Sequence, residues 1–246
     1  MRILAAIAVC LTTFSVANAD LADKVQAALD ADGRPAADKE RDRNRRPLRT
    51  LEFFGMKDDM RVLELFPGGG WYTRVLAPVL ADEGQLYLAL NAGFVESGVL
   101  QEAGFDKVDV LDTGANVRYD RELGHYVIED FDFGVRDLDL VLTFRNLHSY
   151  KPEYRAMINR EVFEALKSGG HYGVIDHTRR HMEADNGENG RRMDPVVVIK
   201  EMLDAGFEFE GHSTLHFRAD DELEYEVGRR SVAGNTDRFT LLFRKP

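Results

Sequence analysis

Three short stretches hold the residues whose types and spacing could do chemistry. The first, Val62 to Thr73, reads Val-Leu-Glu-Leu-Phe-Pro-Gly-Gly-Gly-Trp-Tyr-Thr: an apolar strand carrying an acid, three consecutive glycines and a helix start. Glycine costs conformational entropy wherever it sits, so three in a row after a buried strand mark a backbone that turns tightly and lies close to something. A strand, glycine loop and helix form the first half of a nucleotide- or nucleoside-binding unit, with the ligand above the carboxyl end of the strand. A nicotinamide fingerprint spaces its glycines G-x-G-x-x-G, whereas Gly68-Gly69-Gly70 runs straight into bulky Trp71 and Tyr72. Glu64 is a poor neighbour for a pyrophosphate. It suits a ligand with an ammonium or other positive centre, or alternatively serves only to orient loop amides.

The second stretch, Arg145-Asn146-Leu147-His148, follows the apolar run Leu138 to Phe144. His148 is the best base candidate in the chain, because an unperturbed imidazole titrates near neutrality. The plainer reading is that it fills a strand-to-loop corner. The third stretch ends another apolar run with Asp176 and His177, beside the same cleft. His177 and His181, with Glu183 and Asp185 nearby, raise the question of a metal. Four-residue histidine spacing needs a helix to align both rings, and this glycine- and charge-rich segment is a poor one, so no metal is expected.

The elements that must position these residues alternate from Met60 onward. Strands are expected at Arg61 to Phe66, Gln85 to Leu90, Lys107 to Leu111, Leu138 to Phe144, Gly170 to Asp176, Phe207 to Thr214 and Arg238 to Arg244. Helices are expected at Trp71 to Leu80, Val95 to Ala103, Pro152 to Leu166 and Pro195 to Ala205. Five strands joined through helices or long crossovers call for a mostly parallel sheet covered on both faces, an α/β class. The last two are separated only by an irregular stretch, which suits a closing hairpin with an antiparallel final strand whose Phe239, Leu241 and Phe243 share one buried face. Residues 114 to 136 fit least well, and an excursion of that length reads as a lid or substrate wall.

Upstream, Leu21 to Leu29 has the spacing of a short amphipathic helix, and Leu48 to Phe54 that of another turn or two. Between them the arginines 41, 43, 45 and 46 are interleaved with Asp38, Glu40 and Asp42. Such a run is either a solvated face or a lid folded over the glycine loop through Arg41, Asp42 and Arg45. We therefore expect a helical cap over residues 20–58 and one α/β domain over residues 59–246. Trp71 and Tyr72 either wall the ligand or pack into the core.

Met1 to Ala19 has the build of a secretory signal: Arg2, an apolar run from Ile3 to Val16, and Ala17-Asn18-Ala19 as a small-residue cleavage site. The run is shorter than the ~20 residues a spanning helix needs. Cleavage would give an exported, periplasmic or secreted protein without stable membrane insertion. The one cysteine, Cys10, would leave with the signal, and with it disulfides, thiolate metal sites and thiol catalysis. The formal net charge of −11 makes nucleic acid and anionic lipid poor partners.

Val62 to Thr73 resembles the first motif of class I S-adenosylmethionine-dependent methyltransferases, in which an acid ends strand one and a glycine loop cradles the cofactor's amino-acid end. From about Asp38 to the C-terminus the chain is similar to a family of exported, predicted methyltransferases. The matching stretches are Arg41-Asp42 with Arg45 and Pro47, Pro67-Gly68-Gly69-Gly70-Trp71-Tyr72-Thr73, Arg145-Asn146-Leu147-His148, Asp194-Pro195, Ala205-Gly206-Phe207, and Thr236-Asp237-Arg238-Phe239 with Phe243 to Pro246. The resemblance implies a doubly wound, Rossmann-like sheet of seven strands in the order 3-2-1-4-5-7-6, the last antiparallel. It implies S-adenosylmethionine as cofactor, held by Glu64, Pro67, Gly68, Gly69, Gly70 and Tyr72 at its methionine end, by Asn91 near the ribose and by Asp112 near the adenine. Two positions depart from the superfamily: Phe66 stands at the usual first glycine, and Asn91 where an acid commonly takes both ribose hydroxyls.

The resemblance also places Arg145-Asn146-Leu147-His148 opposite the transferred methyl. Methyl transfer is an in-line displacement at an activated carbon, so a protein supplies alignment, and a base if the nucleophile carries a proton. His148 is then the base, Asn146 orients a small-molecule acceptor and Arg145 binds an acidic one. Two other functions stay open. One is a non-catalytic ligand-binding protein that keeps the methyltransferase fold, since S-adenosylmethionine is made in the cytosol. The other, disfavoured by glycine spacing and by Asn91, is a Rossmann-type oxidoreductase.

Overall fold

The computed structural model describes residues 13–246, with side chains from residue 21. The expected leader lies outside the described residues up to residue 12. Seven helices, α1 (Thr13–Asp30), α2 (Ala36–Arg45), α3 (Pro47–Phe53), α4 (Thr73–Leu80), α5 (Gly93–Ser97), α6 (Pro152–Ala165) and α7 (Pro195–Asp204), surround nine strands among the described residues. The strands are β1 (Arg61–Leu65), β2 (Gln85–Ala89), β3 (Asp109–Val110), β4 (Val117–Asp120), β5 (His125–Ile128), β6 (Leu138–Phe144), β7 (Leu166–His177), β8 (Glu208–Ser213) and β9 (Arg238–Arg244).

Seven of them form one sheet in the order β3-β2-β1-β6-β7-β9-β8, and β9 runs antiparallel to both neighbours. Counted within the sheet this is 3-2-1-4-5-7-6, as the resemblance implies. The strand pattern dictates two cores. In β1, Val62 faces one side while Leu63 and Leu65 face the other, and in β9 Leu242 opposes Phe239, Leu241 and Phe243. One face packs on α1, α3, α4 and α5. The other packs on α6 and α7 through Ile158, Val162, Val198 and Met202. Both α6 and α7 start at a proline, and Asp194 caps α7 by accepting from the Val196 amide at 2.9 Å.

Three local results decide or revise the sequence expectation. The charged run folds as helix α2, which lies over the glycine loop: the Trp71 indole donates to the Asp38 carbonyl at 3.0 Å, and the Arg45 guanidinium sits 4.3 Å above the Trp71 ring. The excursion at residues 114–136 contains the two-stranded antiparallel β4–β5 hairpin in place of a crossover helix. And β7 begins at Leu166 because α6 passes into it without a loop, paid for by a register irregularity opposite Leu138 and Leu140.

The carboxyl ends of the central strands are strained in the same way. Phe66 after β1, Leu90 and Asn91 after β2, and Arg145 after β6 all have positive φ, between 53° and 64°. Each such non-glycine residue costs roughly 1–3 kcal/mol, and such residues cluster where a site over-determines them. This row of strained corners borders the cavities described next.

Candidate active site

The glycine run turns over the end of β1 and divides its labour. At Gly68 and Gly69 a Cβ would meet nothing within 4 Å, so the backbone there faces open space. At Gly70, with φ +76°, a Cβ would lie 2.6 Å from Val99 Cγ2 and 2.9 Å from Val95 Cγ2. Gly70 therefore lets α5 and the turn after it close on the loop, while its two neighbours line a cavity of 280 Å³ with Pro67, Glu64, Tyr72, Phe144, Arg145 and Asn146. Arg41 and Arg45 of α2 cover it, as the lid reading expects, but Asp42 turns away to pair with Arg34.

Glu64 lies at the base of this cavity, 2% exposed. Its one hydrogen bond among the described residues is accepted from the Thr73 hydroxyl at 2.7 Å, and none comes from a loop amide. Burial outweighs that bond and the nearby Arg45 charge, and pushes the carboxyl up to about 8. Tyr72 stacks on Phe144 with ring centroids 3.4 Å apart and meets Trp71 edge-on at 4.7 Å. The two aromatics are thus both core and cavity wall. A second cavity, of 360 Å³, lies farther along the same strand ends and is bordered by Asn91, Glu96 and Asp112.

Within the Leu147–Ser149 turn, His148 Nδ1 lies 2.6 Å from Asp176 Oδ1, and the His148 amide donates to the other carboxylate oxygen at 3.2 Å. Asp176 has no exposed surface. Burial alone would raise its carboxyl, but the His148 charge, the His148 ring bond and the His177 amide at 2.7 Å hold it below the usual range. The ionised carboxylate therefore takes its proton partner from His148 Nδ1. His148 forms part of the wall of a third cavity of 420 Å³, with Tyr126 of the hairpin, Tyr150 and Val197. Asn146 spends its amide nitrogen on the Phe66 and Phe144 carbonyls, at 3.2 and 3.0 Å, tying the ends of β1 and β6 together.

The expected residues thus fall into groups. Glu64, Pro67, Gly68, Gly69, Tyr72, Arg145 and Asn146 share the first cavity, Asn91 and Asp112 share the second, His148 looks into the third, and Gly70 packs against the fold. His177 bonds Thr236 at 2.9 Å and is pushed by burial down to about 2, while His181 pairs with Asp194 at 2.8 Å. Among the described residues no group of His, Cys, Asp and Glu is placed to hold a metal ion. Sequence reasoning did not find the partnership of His148 with Asp176, or Arg238, which is 7% exposed at the start of β9. The signal for each was an ionisable residue at the end of an otherwise apolar strand.

No protein-family model and no curated protein matches the chain by sequence. Solved structures do. An S-adenosylmethionine-dependent methyltransferase from Aquifex aeolicus superposes with a TM-score of 0.58 at 17% identity, over 90% of this chain and 96% of that one. The fold is that of the class I methyltransferases. Human N-acetylserotonin methyltransferase bound to S-adenosylmethionine gives 0.54 at 13% identity, over 97% of this chain and 60% of that one. The cyclase SpnF gives 0.55 at 19% identity, over 98% of both chains. One architecture therefore carries more than one reaction, and the site must decide among them.

Proposed function

We propose that this protein is an exported S-adenosylmethionine-dependent methyltransferase acting on a small-molecule acceptor, with Met1–Ala19 as its leader and residues 20–58 as a cap over the 59–246 domain. The observation that carries the reading is the His148–Asp176 pair, one short turn from an open glycine cradle on the ligand-binding edge of a methyltransferase sheet. The residues present fit the cofactor. Gly68 and Gly69 leave room where side chains would stand, and Glu64 lies at the base of that cavity. A second cavity with Asn91 and Asp112 continues along the same edge. Glu64, Pro67, Gly68, Gly69 and Tyr72 would hold the methionine end, Asn91 the ribose and Asp112 the adenine.

When bound, S-adenosylmethionine supplies an electrophilic methyl carbon on a sulfonium. The chain supplies a base and alignment. With Nδ1–H directed to Asp176, the basic nitrogen of His148 is Nε2, which takes the proton of an acceptor hydroxyl or amine. Asp176 fixes the tautomer and stabilises the imidazolium that results. Asn146, held by two backbone carbonyls, keeps its carboxamide oxygen for the acceptor.

One observation favours the second reading, a non-catalytic binding protein: the guanidiniums around the first cavity suit a ligand more acidic than S-adenosylmethionine alone. Titration of the protein with S-adenosylmethionine, S-adenosylhomocysteine and NAD(H) tests the proposal. Saturable binding of both sulfur nucleosides and not of NAD(H) is expected. No response to either nucleoside at millimolar concentration would sink the methyltransferase reading.

A further inference from the structure

Three of the five buried arginines among the described residues are paired with a carboxylate. Arg34 takes Asp42 through two bonds of 2.8 and 2.7 Å, Arg192 takes Asp221 through two of 2.9 and 3.0 Å, and Arg155 takes Glu201. Arg45 and Arg238 are equally buried, each 7% exposed, and have no carboxylate within ion-pair distance among the described residues. Arg145 is half-buried and Arg41 exposed, and they are unpaired as well. The Arg45 guanidinium lies over the Trp71 and Tyr72 rings, with no side-chain hydrogen bond among the described residues. Arg238 has one long bond to the Asn44 carbonyl and a buried Nε without an acceptor. Arg41, Arg45 and Arg145 line the glycine-loop cavity.

The nearby acids are already committed. Asp176 serves His148, Asp38 lies 3.8 Å from Arg74, and Asp237 accepts from the Arg218 amide at 2.7 Å. Glu64 is bonded to Thr73 and favours its neutral form. The arginines repel one another: after burial, the Arg145 charge is the largest influence pushing Arg45 down to about 9 and Arg238 down to about 10. Unpaired buried charge of one sign is costly, and guanidinium forks match carboxylate and phosphate oxygens.

We infer that Arg45 and Arg145, with Arg41 at the rim, form a clamp for the carboxylate or phosphate of a second small ligand, an acidic methyl acceptor. The step from clamp to acceptor rests on the cofactor reading above and follows from charge balance. The cofactor would bring one carboxylate but also an ammonium and a sulfonium, so it leaves the excess positive charge unrelieved. A further acid is needed. Arg145 lines the glycine-loop cavity and His148, three residues on, lines the third cavity, so the proposed acid would bridge the two across the Leu147–Ser149 turn.

The test uses inorganic phosphate and malonate as probes, read by calorimetry and thermal melting. Each should bind the wild-type protein at one shared site and raise its melting temperature. Arg145→Gln should weaken both by about tenfold or more. Without anion, that variant should melt higher than wild type, because repulsion is relieved, where a merely structural arginine would lower the melt. If it does not fold, exposed Arg41→Gln decides, with phosphate weakened about threefold. No phosphate or malonate binding to wild type, or equal binding to the variants, overturns the clamp. Saturating S-adenosylhomocysteine should leave phosphate affinity unchanged. Displacement would assign the clamp to the cofactor's own carboxylate and overturn the acceptor. Phosphate binding with no response to S-adenosylhomocysteine would uphold the clamp and reject the cofactor reading instead.

Discussion

Glu64 and Asp176 are two buried carboxyl groups on strands β1 and β7, separated in the sheet only by β6. Burial is the largest influence on each, and in both it favours the neutral acid. They end on opposite sides of their ordinary values because of what surrounds them. Asp176 has an imidazole at 2.6 Å and two backbone amides, enough to hold it ionised. Glu64 has one hydroxyl and a more distant guanidinium, and is pushed up to about 8. The difference gives them different work: Asp176 is the acceptor for the His148 ring, whereas Glu64, with a single hydroxyl partner, is proposed to meet the positive centre of a ligand.

The largest effect expected from this comparison is a pH dependence. The folded value of Glu64 lies above its ordinary 4.5, so its contribution to stability is fully present below about 4.5 and is lost as pH rises through about 8. That loss is of order 5 kcal/mol. Urea unfolding of wild type and Glu64→Gln across this range should show wild type losing this much stability relative to the variant, on top of the histidine titrations common to both; a constant difference between the two proteins would mean that Glu64 is already ionised. Next in size, Asp176→Asn leaves His148 without its charged partner. Its stability should drop by about 3 kcal/mol, and transfer to any identified acceptor by about a hundredfold, with nucleoside affinity little changed.

Within the glycine run the contrast is between fold and ligand. Gly70→Ala forces a side chain onto Val95 and Val99 at positive φ and should cost about 1–3 kcal/mol. Gly69→Val should unfold like wild type yet lose S-adenosylhomocysteine affinity by about tenfold or more, since it fills only the cradle. Smallest of all, Asn91→Asp supplies an acid at the proposed ribose position and should tighten S-adenosylhomocysteine by about threefold to tenfold. A weaker nucleoside complex in that variant would move the ribose elsewhere.

Much of the fold was legible because burial writes itself into the strands. Leu138 to Phe144 and Arg238 to Arg244 were read with the boundaries observed, and the antiparallel final strand followed from the lack of a crossover before it. The strand order came from resemblance to a family, not from the pattern. Helix α2 was obscure because its apolar stripe is missing: its buried side is Arg45 against Trp71, a cation over an aromatic ring in place of a leucine. The β4–β5 hairpin was hidden by its polar composition, with Arg118 and Asp120 in the strand. Among the site residues, His148 and Glu64 stood out by type and position. The pairing of His148 with Asp176 did not, because 28 residues separate them and only adjacent strand ends bring them together. The unpaired state of Arg45, Arg145 and Arg238 is a property of neighbours in space, which a linear pattern does not carry.

The proposed role of the glycine cradle above Glu64 is to take the amino-acid end of S-adenosylmethionine. Calorimetric titration with S-adenosylhomocysteine at neutral pH, in two buffers of different ionisation enthalpy, tests it most directly. One site per chain is expected, with an apparent enthalpy that changes with buffer in wild type, because the ammonium group ionises Glu64 and releases its proton, and that does not change in Glu64→Gln. Absence of binding, or the same buffer dependence in both proteins, would contradict it.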